Sequence, residues 1–207
     1  TFLVGADKPY QTIQPTLDLL APGDTVVVDG DADYPGDIWL RTSGTAESPI
    51  TIRGERKNGK RPRISGVGTE QWHDMIVLVY ANHVIFEGFE VLGDENPDHS
   101  GIVTKGDQIT IRDVLVRDVR NQGLLATDSE SGSLTIDACE FLNNGDGERQ
   151  HQIYVATDES MYPGAVFRLQ NSYIHDSAGG NNVKSRAERN EIYANWIEGA
   201  VYHQLDL

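Results

Sequence analysis

Apolar positions along this chain fall in short alternating runs rather than in long stripes. From residue 84 onward, Val84-Ile85-Phe86, Ile109-Thr110-Ile111, Leu134-Thr135-Ile136, Phe167-Arg168-Leu169 and Asn190-Glu191-Ile192 align as copies of one pattern. Phe86, Ile111, Ile136, Leu169 and Ile192 make one apolar column, with steps of 25, 25, 33 and 23 residues. A second column lies five residues on in every copy: Val91, Val116, Phe141, Ile174 and Ile197. After a polar turn comes a third: Ile102, Leu124, Ile153, Val183 and Leu205. Alternation with a period of two puts apolar side chains on one face of a strand and polar ones on the other. Three such strands per repeat, at a repeat length that tolerates insertions, predict coils stacked on coils. The predicted fold is all-β, a right-handed parallel β-helix in a single domain over residues 1–207.

Asp118, Asn143 and Asp176 recur two residues after the second column. Short polar side chains there suit a stacked turn whose backbone groups need partners, so this column is structural. A leucine-rich repeat has a similar period, but its Leu-x-x-Leu-x-Leu spacing is absent, and the alternation with frequent Gly and Asn excludes helical repeats. Residues 10–20 form the one plausible amphipathic helix, ended by Pro22-Gly23, and are expected to cap the N-terminal end of the solenoid. Strands over 25–28, 38–40, 50–53 and 75–79 would build the first coils. The last residues, 202–207, read as a strand with no polar cap, so further coils are expected beyond Leu207, and an open solenoid end would invite self-association.

Composition narrows the partners. With 17 Lys+Arg against 32 Asp+Glu the formal charge is −15, which repels polyanions unless cations gather locally, so general nucleic-acid binding is not expected. No apolar run approaches the ~20 residues of a membrane span. Cys139 is the only cysteine and reads as core packing. The basic loop at residues 55–63 reads as a solvated charge run rather than a polyanion patch. His175-Asp176 reads as a surface histidine beside a turn aspartate, and His73-Asp74 and Asp98-His99 as solvated strand approaches.

Pro22-Gly23-Asp24-Thr25-Val26-Val27-Val28, followed by Gly44-Thr45-Ala46-Glu47-Ser48-Pro49-Ile50-Thr51-Ile52-Arg53-Gly54, resembles the pectate-lyase-like right-handed β-helix superfamily. The likeness is nearest to bacterial polysaccharide lyases of the alginate lyase and chondroitinase B kind. It implies extracellular or periplasmic polysaccharide chemistry by lyases, hydrolases or uronate epimerases, or a non-catalytic surface protein; fold alone does not choose among them. The segment Gly179 to Asn190 looks similar, by residue type, to the Lys-and-Arg face that lyases of this fold use.

If Ile153, Val183 and Leu205 point inward, Tyr154, Lys184 and Asp206 point outward on successive coils roughly 4.8 Å apart, with Arg186 on the same face. His151 and His203 share one register, and Gln152, Asn182 and Gln204 read as substrate-binding neighbours. Loops over residues 143–150 and 157–164 would wall this face. β-Elimination from a uronate needs positive charge on the carboxylate and a base that works near neutral pH. Lys184 beside Arg186 suits that role, with Tyr154 or a histidine donating to the leaving oxygen. Calcium on Asp206, Asp158 or Glu159 would share the neutralising charge. The expected function is therefore cleavage of an acidic polysaccharide by a lyase. A structural ion pair between Lys184 and Asp206, with Tyr154 over it, is the competing reading of the same residues, and a glycoside hydrolase, an epimerase or a non-catalytic module are the competing functions.

Overall fold

The computed structural model describes residues 1–66 and 74–207, so His73 of the sequence reading lies outside the described residues. The chain winds through three parallel sheets of eight, seven and seven strands. Each coil contributes one strand to each sheet, and the strands pair with those one coil away. The three apolar columns are continuous stacks. Ile52, Phe86, Ile111, Ile136, Leu169 and Ile192 are cross-strand partners in the first sheet. Ile64, Val91, Val116, Phe141, Ile174 and Ile197 are partners in the second. Ile38, Val77, Ile102, Leu124, Ile153, Val183 and Leu205 are partners in the third. All but Ile192, Ile197 and Leu205 are buried. This is a right-handed parallel β-helix whose core runs the length of the solenoid.

The turns explain the polar residues between the columns. Asp118, Asn143 and Asp176 all sit at positive φ, at 58°, 52° and 47°, where the chain leaves the second sheet. Asn and Asp tolerate this left-handed backbone better than other side chains with a Cβ. The Asn143 Nδ2 donates to Asp118 Oδ1 at 2.5 Å, and the Asn143 N–H donates to the Asp176 carbonyl at 2.9 Å, so the turns are laced coil to coil. Cys139 is buried, its thiol pushed up to about 12 by burial, which leaves it an inert packing group.

Two expectations need correction. The helix predicted over residues 10–20 is a single turn, Gln14–Leu17. Ile13, Leu17 and Leu20 enter the core while Leu19 stays 55% exposed, so no continuous apolar face supports further turns. Gln14 fixes this turn by accepting the Trp39 N–H at 2.7 Å and donating to the Trp39 carbonyl at 3.3 Å.

The second correction concerns Gln152 and Asn182, which point into the solenoid and are each 0% exposed. Strict alternation assigns them outward, but the chain is still turning before Ile153 and Val183, and the register of the strand does not extend to them. Their amides form an internal ladder. Asn144 Nδ2 donates to Gln152 Oε1 at 2.9 Å, Gln152 Nε2 donates to the His175 carbonyl at 2.6 Å and to Asn182 Oδ1 at 3.1 Å, and Asn182 Nδ2 donates to Gln204 Oε1 at 2.7 Å. Gln152 and Asn182 are therefore not free substrate ligands, whereas Gln204 is exposed and accepts through Oε1. Replacing Gln152 with Leu would strand buried polar groups on Asn144, Asn182 and His175, at a cost of about 1–3 kcal/mol for each group left unsatisfied. Chemical denaturation of Gln152→Leu should show that loss; a midpoint equal to the parent's would contradict the ladder.

Candidate functional site

The outer face of the third sheet carries the candidate site on its strands Ile153–Ala156, Val183–Arg186 and Leu205–Asp206. Tyr154 pairs with Lys184, and Lys184 with Asp206, so the three side chains stand in one row across three coils. Inward packing of Ile153, Val155 and Val183 fixes that row, because turning one residue outward would expose its apolar neighbours. The row borders a cleft of about 540 Å³ lined by Glu148, Arg149, His151, Tyr154, Asn181, Lys184, Arg186, Tyr202 and His203.

Lys184 Nζ donates to Asp206 Oδ2 at 2.6 Å, so the cross-coil ion pair is formed. That bond holds the Asp206 carboxyl below its ordinary range, with Asn181 Nδ2 adding a second donor at 3.0 Å. An ammonium has three N–H donors, and two remain on Lys184. Arg186 is exposed, with its guanidinium carbon 5.9 Å from the centroid of the Tyr154 ring. The His151 ring meets the same tyrosine edge-on at 5.7 Å.

His151 is only 6% exposed, and its Nδ1 receives the Asn181 backbone N–H at 2.9 Å. A backbone N–H can only donate, so Nδ1 is unprotonated and the neutral ring carries its hydrogen on Nε2. Burial first, and Lys184 second, push the His151 pKa below 6.5. An unfolded histidine takes up a proton as the pH falls through its ordinary value, while the folded one refuses it until lower pH. Stability is therefore complete above about 6.5 and declines below it. His151→Gln should flatten that acid limb in melting temperatures recorded against pH; an unchanged slope would rule His151 out as its source.

Asn181 ties the row together. Besides its bonds to His151 and Asp206, its Oδ1 accepts the His203 N–H at 3.2 Å. Sequence reasoning passed over Asn181, although it shares the register of His151 and His203, two residues before the inward apolar position. It also missed Arg149 and Tyr202, which reach the cleft from irregular segments where periodicity says nothing about direction.

Of the acidic residues expected to hold calcium, two have hydrogen-bond partners of their own. Asp206 is engaged by Lys184 and Asn181. Asp158 accepts from Ser160 Oγ at 2.6 Å and from the backbone N–H groups of Glu130, Ser160 and Met161, and these bonds, the Ser160 hydroxyl first, hold its carboxyl low. Glu159 is exposed. Among the described residues no three His, Cys, Asp or Glu side chains converge as a metal site.

Elsewhere the charges are spent within the protein. Arg56 and Arg61 pair with Asp113 at 2.9 and 2.5 Å, Lys60 with Asp31 at 2.8 Å and Arg63 with Asp33 at 2.7 Å, so the basic loop is largely neutralised. His175 is not on the surface as expected. It is buried, with Nδ1 on Asp176 at 2.8 Å and Nε2 on Glu140 at 3.2 Å, because its strand continues to it and the Tyr173 ring covers it at 3.8 Å.

No family model and no curated protein sequence matches the chain. Similar solved structures include pectate lyase Pel9A, at TM-score 0.64 and 12% identity over 94% of this chain. Alginate lyase from Paenibacillus sp. str. FPU-7 aligns at 0.60 and 18% over 88% of this chain and 72% of its own. The pectin methylesterase from Aspergillus niger aligns at 0.58 and 14% over 97% of this chain and 85% of its own. This chain spans 62% of the length of Pel9A. At these identities the likeness is one of fold, and with the three continuous stacks it establishes that the chain adopts the pectate-lyase-like right-handed parallel β-helix fold.

Proposed function

We propose that this is a carbohydrate-active β-helix protein that cleaves an acidic, uronate-containing polysaccharide by β-elimination in the cleft of the third sheet. The observation that carries the reading is a local reversal of charge. Arg149, Lys184 and Arg186 line one cleft of a chain whose formal charge is −15. Such a concentration of cations against the overall field favours an anionic ligand there.

In the elimination a base removes the proton next to the carboxylate, that electron pair becomes the new C=C bond, and the glycosidic C–O bond breaks as its oxygen takes a proton. Arg186 and the two remaining N–H donors of Lys184 would hold the substrate carboxylate and stabilise the charge that develops on it. Because Lys184 already donates to Asp206, it serves as neutraliser, and the base is assigned instead to His203. That ring lines the cleft, is exposed, and makes no hydrogen bond among the described residues. Tyr154 would protonate the leaving oxygen, and the Nε2–H of His151 would fix the sugar beside it. An inverting hydrolase needs two carboxylates facing the bond at ~6.5–9.5 Å. Glu148 is the one carboxylate among the cleft-lining residues, and Asp206 beside the cleft is engaged by Lys184 and Asn181, which favours elimination. A substrate of this kind also implies extracellular or periplasmic work.

The direct test is a panel of uronate polymers assayed with and without calcium for the ultraviolet absorbance of the unsaturated product. Absorbance rising on at least one acidic polymer and on no neutral one is expected. Tight binding with no product on any member would replace the lyase by a non-catalytic binding module.

A further inference from the structure

A second surface lies on the outer face of the second sheet, away from the cleft, and the strands Tyr173–His175 and Trp196–Ile197 build it. Tyr173 and Trp196 are cross-strand partners on adjacent coils, with 37% and 65% of their surface exposed. Tyr173 is held in place rather than left free. The Tyr173 hydroxyl donates to Glu198 Oε1 at 2.7 Å, and that bond first, with neighbouring Trp196 second, holds the Glu198 carboxyl below its ordinary range. The Tyr173 ring also lies against the buried His175 ring, 3.8 Å between centroids and 12° from parallel. His175 in turn is pinned between Glu140 and Asp176. The Tyr173 ring thus has a rigid backing and a fixed polar end.

We infer that Tyr173 and Trp196 form a stacking platform for a neutral glycan, distinct from the cleft. Rigid Tyr and Trp side chains offer large amphipathic contact area with little entropy left to lose, which is what the C–H face of a sugar ring needs. The two residues stand on strands one coil apart, roughly 4.8 Å, a spacing comparable with one pyranose of an extended chain. Charge selects the class of sugar. The carboxylates of Glu140, Asp176 and Glu198 flank the rings, and Arg117 of the same sheet is paired with Glu90 at 2.7 Å and with Asp118. A uronate would meet uncompensated like charge here, whereas a neutral sugar would find hydrogen-bond acceptors for its hydroxyls. The platform would hold the protein on a mixed polysaccharide while an acidic stretch enters the cleft, so its use in catalysis rests on the proposed function; the binding itself does not.

The experiment is titration of the whole chain with cellohexaose, xylohexaose and mannohexaose, followed by tryptophan fluorescence and calorimetry. At least one neutral oligosaccharide should bind, Trp196→Ala should weaken it at least tenfold, and Tyr173→Ala should weaken it as well. Arg186→Ala, a cleft variant, should bind it as the parent does, and Trp196→Ala should still process short uronate oligomers at the parental rate. A melting temperature for each variant separates lost contact from lost fold, and Trp196→Phe should restore part of the affinity if stacking is the cause. Three outcomes would overturn the platform: no neutral sugar binding at all, binding indifferent to Trp196, or a fluorescence change that tracks protein concentration because a second copy covers the rings. Failure of uronate cleavage with intact neutral binding would refute only the cleft assignment.

Discussion

Replacing His203 with Ala should slow formation of the unsaturated product by about 10²- to 10⁴-fold, the usual contribution of a positioned base or acid. KM should change little, since the carboxylate would still meet Arg186 and Lys184. Arg186→Ala should act on both parameters, raising KM and lowering kcat, because charge neutralisation contributes to substrate binding and more strongly to the transition state. Arg186→Lys should recover only part of this, for a point charge cannot reproduce the planar two-pronged contact a guanidinium makes with a carboxylate. Lys184→Ala leaves the Asp206 carboxylate without its partner at 2.6 Å, so that variant adds a repulsive charge as well as removing an attractive one. Its melting temperature should scarcely move, since an ion pair this exposed is typically worth under ~1 kcal/mol. A large thermal shift in Lys184→Ala without kinetic loss would return the pair to a purely structural role.

The largest effect on stability is expected at Phe141. Its ring is fully buried in the second sheet, stacked between Val116 and Ile174 of the neighbouring coils. Truncation to Ala removes the apolar contact and leaves a cavity between strands that the ladders on either side hold apart, at a cost of about 3–5 kcal/mol. Urea unfolding should register it as a lowered midpoint with an unchanged slope. A loss below about 1 kcal/mol would mean that the stack can close over the gap, which a rigid solenoid core should not do.

The sequence displayed the fold because every coil repeats the same inward and outward choice. Ile111, Ile136 and Leu169 could be aligned by spacing alone, and spacing is what the parallel register preserves. The row Tyr154, Lys184, Asp206 was legible for the same reason, each residue following an inward apolar one. Legibility ends where the backbone stops being extended. Gln152 and Asn182 precede their strands by one residue, on chain that is still turning, and so face the interior amide ladder instead of solvent. The surroundings of the expected calcium ligands were hidden from the sequence in the same way. Asp158 caps its own loop through backbone N–H groups, a local bond invisible to residue type, while Asp206 is spent on Lys184. The helix at residues 10–20 shrank to Gln14–Leu17 because amphipathic spacing does not say how much core surface is available to cover it.

The roles of His151 and Asn181 were beyond reach of the sequence altogether. A shared register hinted that His151 and His203 stack, but only the 2.9 Å contact from the Asn181 N–H to Nδ1 decides which ring nitrogen carries the hydrogen. Arg149 and Tyr202 likewise approach the cleft from segments without a repeat.

The cleft assignment is tested most directly by a crystal structure of His203→Ala soaked with a uronate oligosaccharide from the polymer that gives product. One sugar carboxylate should lie within hydrogen-bond distance of Arg186 and Lys184, with its glycosidic oxygen beside the Tyr154 hydroxyl. An oligouronate bound instead on the first or second sheet, or in the cleft with its carboxylates turned away from both cations, would contradict it.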